Sequence, residues 1–191
     1  MKISVSRAYL WYFMYALLIF SVEISHLLES SYAGIMTLLI ALYGAASLRK
    51  LFLRLSVVLR EENIVKNYTY SFLLIFSGIV LGSTGISIGV YAKNMPIILF
   101  SVIFSYLIVL LGTYLFRESC AIITRLCGLY SVVRLGNVSL IIALIYPVYF
   151  LMDTPYSTLF LCILYVALMF FASRALKAIE KILEESSRQY L

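Results

Sequence analysis

One pattern, written three times, constrains this chain more than any other feature. In each copy an apolar hairpin long enough to cross a bilayer twice runs on into a charged segment. The apolar residues of that segment fall on one helical stripe. The stripes are Leu48, Leu51, Phe52, Leu55, Val58 and Leu59; then Phe116, Ser119, Cys120, Ile123, Leu126 and Cys127; then Ala172, Ala175, Leu176, Ile179, Ile182 and Leu183. The spacing i, i+3, i+4, i+7 is that of one face of an α-helix. A helix that leaves an apolar run with such a stripe still exposed must bury it: the three extensions can bury theirs against one another as a small cytosolic bundle, lie flat on the headgroups, or meet a partner.

The solvent implied is lipid. The chain is 63% hydrophobic and 13% charged, whereas soluble domains are about half apolar and carry roughly 25% charged residues. A crossing needs about 20 mainly apolar residues to match a slab roughly 30 Å thick. Such runs lie near 8–28, 32–48, 70–91, 96–115, 136–152 and 156–173. The fold class expected is therefore an all-α integral membrane protein. Its six transmembrane helices form three antiparallel hairpins, with the second helix of each extended into the cytosol. The chain is read as a single transmembrane domain, with hairpins near 8–62, 68–128 and 136–187 and extensions near 48–62, 116–128 and 172–187. Lys2 and Arg7 precede an apolar run that is too long for a signal peptide and lacks a small-residue cleavage site, so it is read as a retained first span.

Charge gives direction. In the six-span arrangement all but one of the 15 Lys and Arg residues fall on one side, and Lys93 alone lies opposite. Basic residues near span ends stay cytoplasmic, so the expectation is a multi-pass cell-membrane protein with both termini inside. Tyr and Trp cluster where the boundaries fall, with Tyr9, Trp11, Tyr68, Tyr70 and Tyr114 near the inner face and Tyr32, Tyr91, Tyr149 and Tyr156 near the outer one. The net charge of +6 is accordingly read as topology and as attraction to anionic headgroups, not as nucleic-acid binding. Asn67-Tyr-Thr69 and Asn137-Val-Ser139 match the glycosylation pattern but fall inside, so they carry no such role.

The repeat is one of pattern. A shift of 68 positions places Gly44 on Gly112 and Arg49 on Arg117 with the stripes in register; a shift of 124 aligns the third stripe but not these residues. Arg60–Asn67 and Gly128–Gly136 are the expected inner turns, with Gly128 and Gly136 as helix terminators. Pro147 is expected to kink the fifth span.

Two groups of residues invite a functional reading. Gly78, Gly82, Gly85 and Gly89 form one face of the third span, suited to close helix packing or to a ligand groove lined by Ser77, Ser83, Thr84 and Ser87. Glu23 and His26 lie one turn apart in the first span and form a possible intramembrane polar site, unless they sit at the headgroups. His26 is the only histidine, so neither bis-histidine haem ligation nor a histidine-rich zinc site fits within this chain. Cys120, Cys127 and Cys162 lack metal-ligand spacing and read as packing residues. No phosphate loop, nucleophile elbow or aspartate cluster occurs. No cofactor is implied and a non-enzymatic role is expected.

That role is a structural, docking or assembly subunit of a membrane complex. The stripe residues Leu51, Phe52, Leu55, Ile123, Leu176, Ile179 and Ile182 would meet a protein partner or a sister copy. One alternative is a small-solute or ion transporter or channel, with its path along the glycine face. A further alternative is a membrane component of a macromolecule-export or DNA-transfer machine.

Overall fold

The computed structural model describes residues 45–46, 48–152 and 155–189, and every regular element among them is a helix. Residues 48–59 form α1. They are followed by α2 (Asn63–Tyr91), α3 (Met95–Cys127), α4 (Tyr130–Met152) and α5 (Pro155–Gln189). Among the described residues α2 and α3 are long and apolar enough to cross a membrane.

The turns have local causes. At the end of α1, Arg60 takes a left-handed conformation (φ 52°), and the Glu61 N–H reaches back to the Ser56 carbonyl at 3.0 Å. Lys93 does the same at the end of α2 (φ 52°), where the Asn94 N–H donates to the Gly89 carbonyl at 2.9 Å. This bonding satisfies carbonyls that a helix end leaves open. Asn94 then caps α3: its side chain accepts from the Ile97 N–H, and Pro96 occupies the first turn, where a missing N–H costs nothing. Gly128 ends α3 at φ 69°, and its N–H donates to Thr124.

Gly128 is thus the helix terminator expected, but Gly136 is not. It lies inside α4 and is buried. A Cβ there would stand 2.9 Å from the Arg117 Cα, so this glycine serves the close approach of α3 and α4. The first inner turn is also shorter than 60–67. Helix α2 begins at Asn63, because Ile64 (0% exposed) and Tyr68 (5%) enter the core as helical residues. Helix α4 runs through Pro147 as a single element.

Helices α3 and α5 are unbroken across their apolar and charged portions. They have 33 and 35 residues, roughly 50 Å each at 1.5 Å rise per residue. That exceeds an apolar slab of about 30 Å by several turns.

The core sits at the charged end. Phe52 and Leu55 of α1, Ile64 and Tyr68 of α2, and Cys120 and Ile123 of α3 join Val132 and Leu135 of α4 in one buried cluster. Ile142 of α4 and Leu168, Ala172, Ala175, Leu176 and Ile179 of α5 complete it. Residues of all three stripes therefore enter one buried cluster together with α2 and α4, with Val58 and Leu126 left outward. Phe52 stacks on Tyr68 at 4.5 Å between ring centroids, and Phe116 lies 6.2–6.3 Å from both.

The shift of 68 reappears in features that hydrophobic periodicity does not dictate. Arg60 and Gly128 are the two left-handed turn residues of equivalent position. Arg49 Nε donates to Thr69 Oγ1 at 3.1 Å, and Arg117 Nε donates to Asn137 Oδ1 at 3.2 Å. Phe52 stacks on Tyr68 where Cys120 abuts Gly136. Residues 48–69 and 116–137 are two copies of one helix–turn–helix unit, the first filled by aromatic rings and the second by close backbone approach.

Candidate functional site

The glycine face and the charged-end bundle are the two candidates that the described residues contain. Glu23 and His26 lie outside the described residues.

The glycine face is a packing surface. A Cβ on Gly85 would stand 2.5 Å from the Ser101 Cβ; on Gly82, 2.9 Å from the Ser105 Cβ; on Gly89, 2.4 Å from the Ile98 Cγ1. On Gly78 it would meet the Val109 side chain at 2.7 Å and the Ser105 carbonyl at 3.0 Å. The pairing runs antiparallel, and α3 reciprocates at Gly112, against Ile75 and the Ser71 carbonyl. Helices in lipid associate by such fit, because lipid tails give apolar side chains no reason to leave them. Three of the four hydroxyls that would have lined a groove bond to their own helix. Ser77 donates to the Leu74 carbonyl, Ser83 to Val80 and Ser87 to Ser83. On the facing helix Ser101 donates to Ile97 and Ser105 to Val102. The expected groove is therefore filled by α3.

The stripe residues are likewise turned inward. Leu55, Ile123 and Ile179 are 0–2% exposed, Phe52 and Leu176 are buried, and Leu51 and Ile182 are partly so. They form the bundle's own interior and are not free for a partner in this arrangement. Outward the bundle presents many cations, Arg49, Lys50, Arg54, Arg60, Lys66, Arg125, Arg134, Arg174 and Lys177, with exposed Leu53, Val57, Val58 and Leu126 among them. Arg174 lies over the Phe170 ring at 4.3 Å from its centroid, a cation–π contact at the end of the apolar run of α5. Arg117 pairs with its neighbour Glu118. The exposed i, i+4 pair Lys181–Glu185 closes at 3.8 Å, a geometry worth little in water.

Polar groups inside the bundle hold elements together. The Ser119 hydroxyl donates to the Ile64 carbonyl at 2.7 Å, pinning α3 to the first turn of α2. The Tyr68 hydroxyl donates to the Ala45 carbonyl at 2.9 Å. Among the described residues no buried side-chain nitrogen or oxygen lacks a partner. Burial pushes the Cys120 thiol up to about 12, against a hydrogen bond with the Gly136 backbone that acts the other way. Burial also raises Cys127. The buried Cys120 is a poor nucleophile, as suits a packing residue. No group of His, Cys, Asp and Glu among the described residues is placed to hold a metal ion.

Sequence reasoning missed the two arginine bonds and the Ser119 and Tyr68 pins. The only signal available beforehand was the alignment of Arg49 with Arg117.

Comparison with protein-family profiles, with curated proteins and with solved structures finds no match. The functional reading rests on the site itself.

Proposed function

We propose that the chain is a six-span cell-membrane protein of three antiparallel hairpins, both termini cytoplasmic, acting as a non-enzymatic assembly subunit of a membrane complex. Its charged-end bundle is the docking element. The supporting observation is a contrast between two ends. Along α2 and α3 large apolar side chains point outward, with Leu99 63% and Phe100 69% exposed. Water would penalise that surface and lipid would not. At the other end the stripes close into a core whose outer face is strongly cationic. A docking partner therefore meets arginines and lysines on the outside of the bundle, not the apolar stripe.

We rank the transport alternative lower, because the glycine face assigned to its path packs closely against α3. The export-machine alternative differs from the assembly reading only in the identity of the partner. The test is purification of the full chain in mild detergent after crosslinking in cells. A defined protein partner or sister copy, released by raised salt, supports the proposal. A chain that is extracted without detergent, or that runs alone as a monomer with nothing crosslinked, overturns it.

A further inference from the structure

The two copies of the helix–turn–helix unit differ in charge at one equivalent place. In the second copy Arg117 holds Asn137 through Nε and is neutralised through Nη1 by Glu118. In the first copy Arg49 makes the equivalent bond to Thr69, and the position of Glu118 is taken by Lys50. Arg49 and Lys50 are both exposed, and neither has an acidic partner among the described residues. Arg54 lies one turn beyond Lys50 and is exposed as well. The Nε bond fixes the guanidinium plane and leaves its Nη groups for a planar, two-point contact with phosphate oxygens.

The rest of that helix face is apolar. Leu53 (46% exposed) and Val57 (70%) share it with Lys50 and Arg54 at i, i+3, i+4, i+7. Their equivalents in the second copy, Ala121 and Arg125, are respectively buried and charged. A face that mixes cations lacking an acidic partner among the described residues with exposed aliphatic groups, at the edge of an apolar run, matches a ligand with an anionic head and a hydrocarbon body. We propose that Arg49, Lys50 and Arg54, with Leu53 and Val57 beside them, form a binding site for the phosphate of an anionic phospholipid. The equivalent place at Arg117–Glu118 is its charge-neutralised counterpart. This rests on the membrane reading above and names the lipid that its charged end takes.

The test is native mass spectrometry of the full chain in non-ionic detergent, titrated separately with phosphatidylglycerol, phosphatidylcholine and inorganic phosphate. The expected result is retention of phosphatidylglycerol at least tenfold tighter than phosphatidylcholine, with no competition from inorganic phosphate at millimolar concentration. Lys50→Glu copies the second unit's charge pattern and should weaken phosphatidylglycerol binding about tenfold; Lys50→Gln should weaken it less. Glu118→Lys restores the charge but not the aliphatic neighbours, so it should add a second phosphatidylglycerol bound more weakly than the first. Helix content by circular dichroism should be unchanged in all three, since positions 50 and 118 lie outside the buried cluster. Equal binding of the two lipids, binding indifferent to Lys50→Glu, or displacement by inorganic phosphate overturns the proposal. The last outcome marks a soluble-anion site. A chain that needs no detergent fails the membrane reading before any lipid is added, whereas a detergent-dependent chain with indifferent lipid binding fails this site alone.

Discussion

The α2–α3 pair and the charged-end bundle are built from the same kind of helix but held together by different physics. Between α2 and α3 the contacts are glycine against serine and isoleucine, small residues that let backbones approach, while the large side chains face away. In the bundle a set of large side chains, Phe52, Leu55, Ile123 and Ile179 among them, is buried in one cluster, and the charges face away together with a few apolar groups such as Leu53 and Val57. The first arrangement suits a surrounding medium as apolar as the side chains themselves. The second suits water, where burying Leu55, Ile123 and Ile179 is what holds the helices together. Helix α3 takes part in both packing arrangements as one continuous element.

The largest expected effect sharpens that contrast. Ile123→Ala removes a fully buried side chain at the centre of the bundle and should cost about 2–5 kcal/mol. Ile98→Ala, on α3 against Gly89, should cost only about 1 kcal/mol, because its gain on association is packing without a hydrophobic term. Equilibrium unfolding of the two variants in the same bilayer or micelle measures both. Equal costs would mean that the two ends see the same solvent, and the contrast would be lost.

The next effect asks whether the regions are separable. A Cβ at Gly85 meets both the Cβ and the Oγ of Ser101, and no side-chain rotation moves that Cβ away. Gly85→Val must push α2 from α3 locally, at a cost of about 1–3 kcal/mol. The bundle should not notice. Cys120 is its reporter: the thiol is fully buried and pushed up to about 12, so alkylation at pH 8 should spare Cys120 while reaching the half-buried Cys127 in both the parent chain and the variant. The sign of the linkage is also fixed. A thiol raised by burial favours the folded state fully below its ordinary value of 9.0 and loses that contribution as pH climbs from there towards 12. Alkylation of Cys120 in Gly85→Val at pH 8 would show that opening one end loosens the other.

How much of this was legible beforehand depends on what kind of information each feature needs. The stripes were legible because helical periodicity is local, and the residues singled out at 52, 55, 123, 176 and 179 are core residues. Their destination was not, since periodicity says that a face needs cover without saying what covers it; the expected docking stripe became the interior. Gly136 shows the same limit from the other side. A glycine marks either a turn or a close approach, and only the position of the Arg117 backbone decides between them. Ile64 and Tyr68 sit among charged and polar residues that resemble a turn, and they become helical because the core accepts them. The bonds from Arg49 and Arg117 each span 20 residues and depend on the angle of an intervening turn. The sequence exposes the repeat of the arginines but not what they hold.

The smallest expected effect lies at that turn and compares the two units directly. Arg60 and Gly128 occupy equivalent left-handed positions, φ 52° and 69°. For a side-chain-bearing residue this conformation costs about 1–2 kcal/mol, because Cβ crowds the following carbonyl. At Gly128 nothing lies within 4 Å of where a Cβ would stand. Gly128→Ala should therefore lose about 1 kcal/mol through backbone conformation alone, with no steric contribution from neighbours. Arg60→Gly removes the same crowding but gives the unfolded chain more freedom, which offsets about 0.5–1 kcal/mol of the gain. The net should be a stabilisation of roughly 0.5 kcal/mol, opposite in sign to the Gly128 change. Chemical denaturation of the two variants reads both signs. If Arg60→Gly destabilises instead, Arg60 supplies a contact that Gly128 has no counterpart for, and the two turns are equivalent in shape but not in what their side chains do.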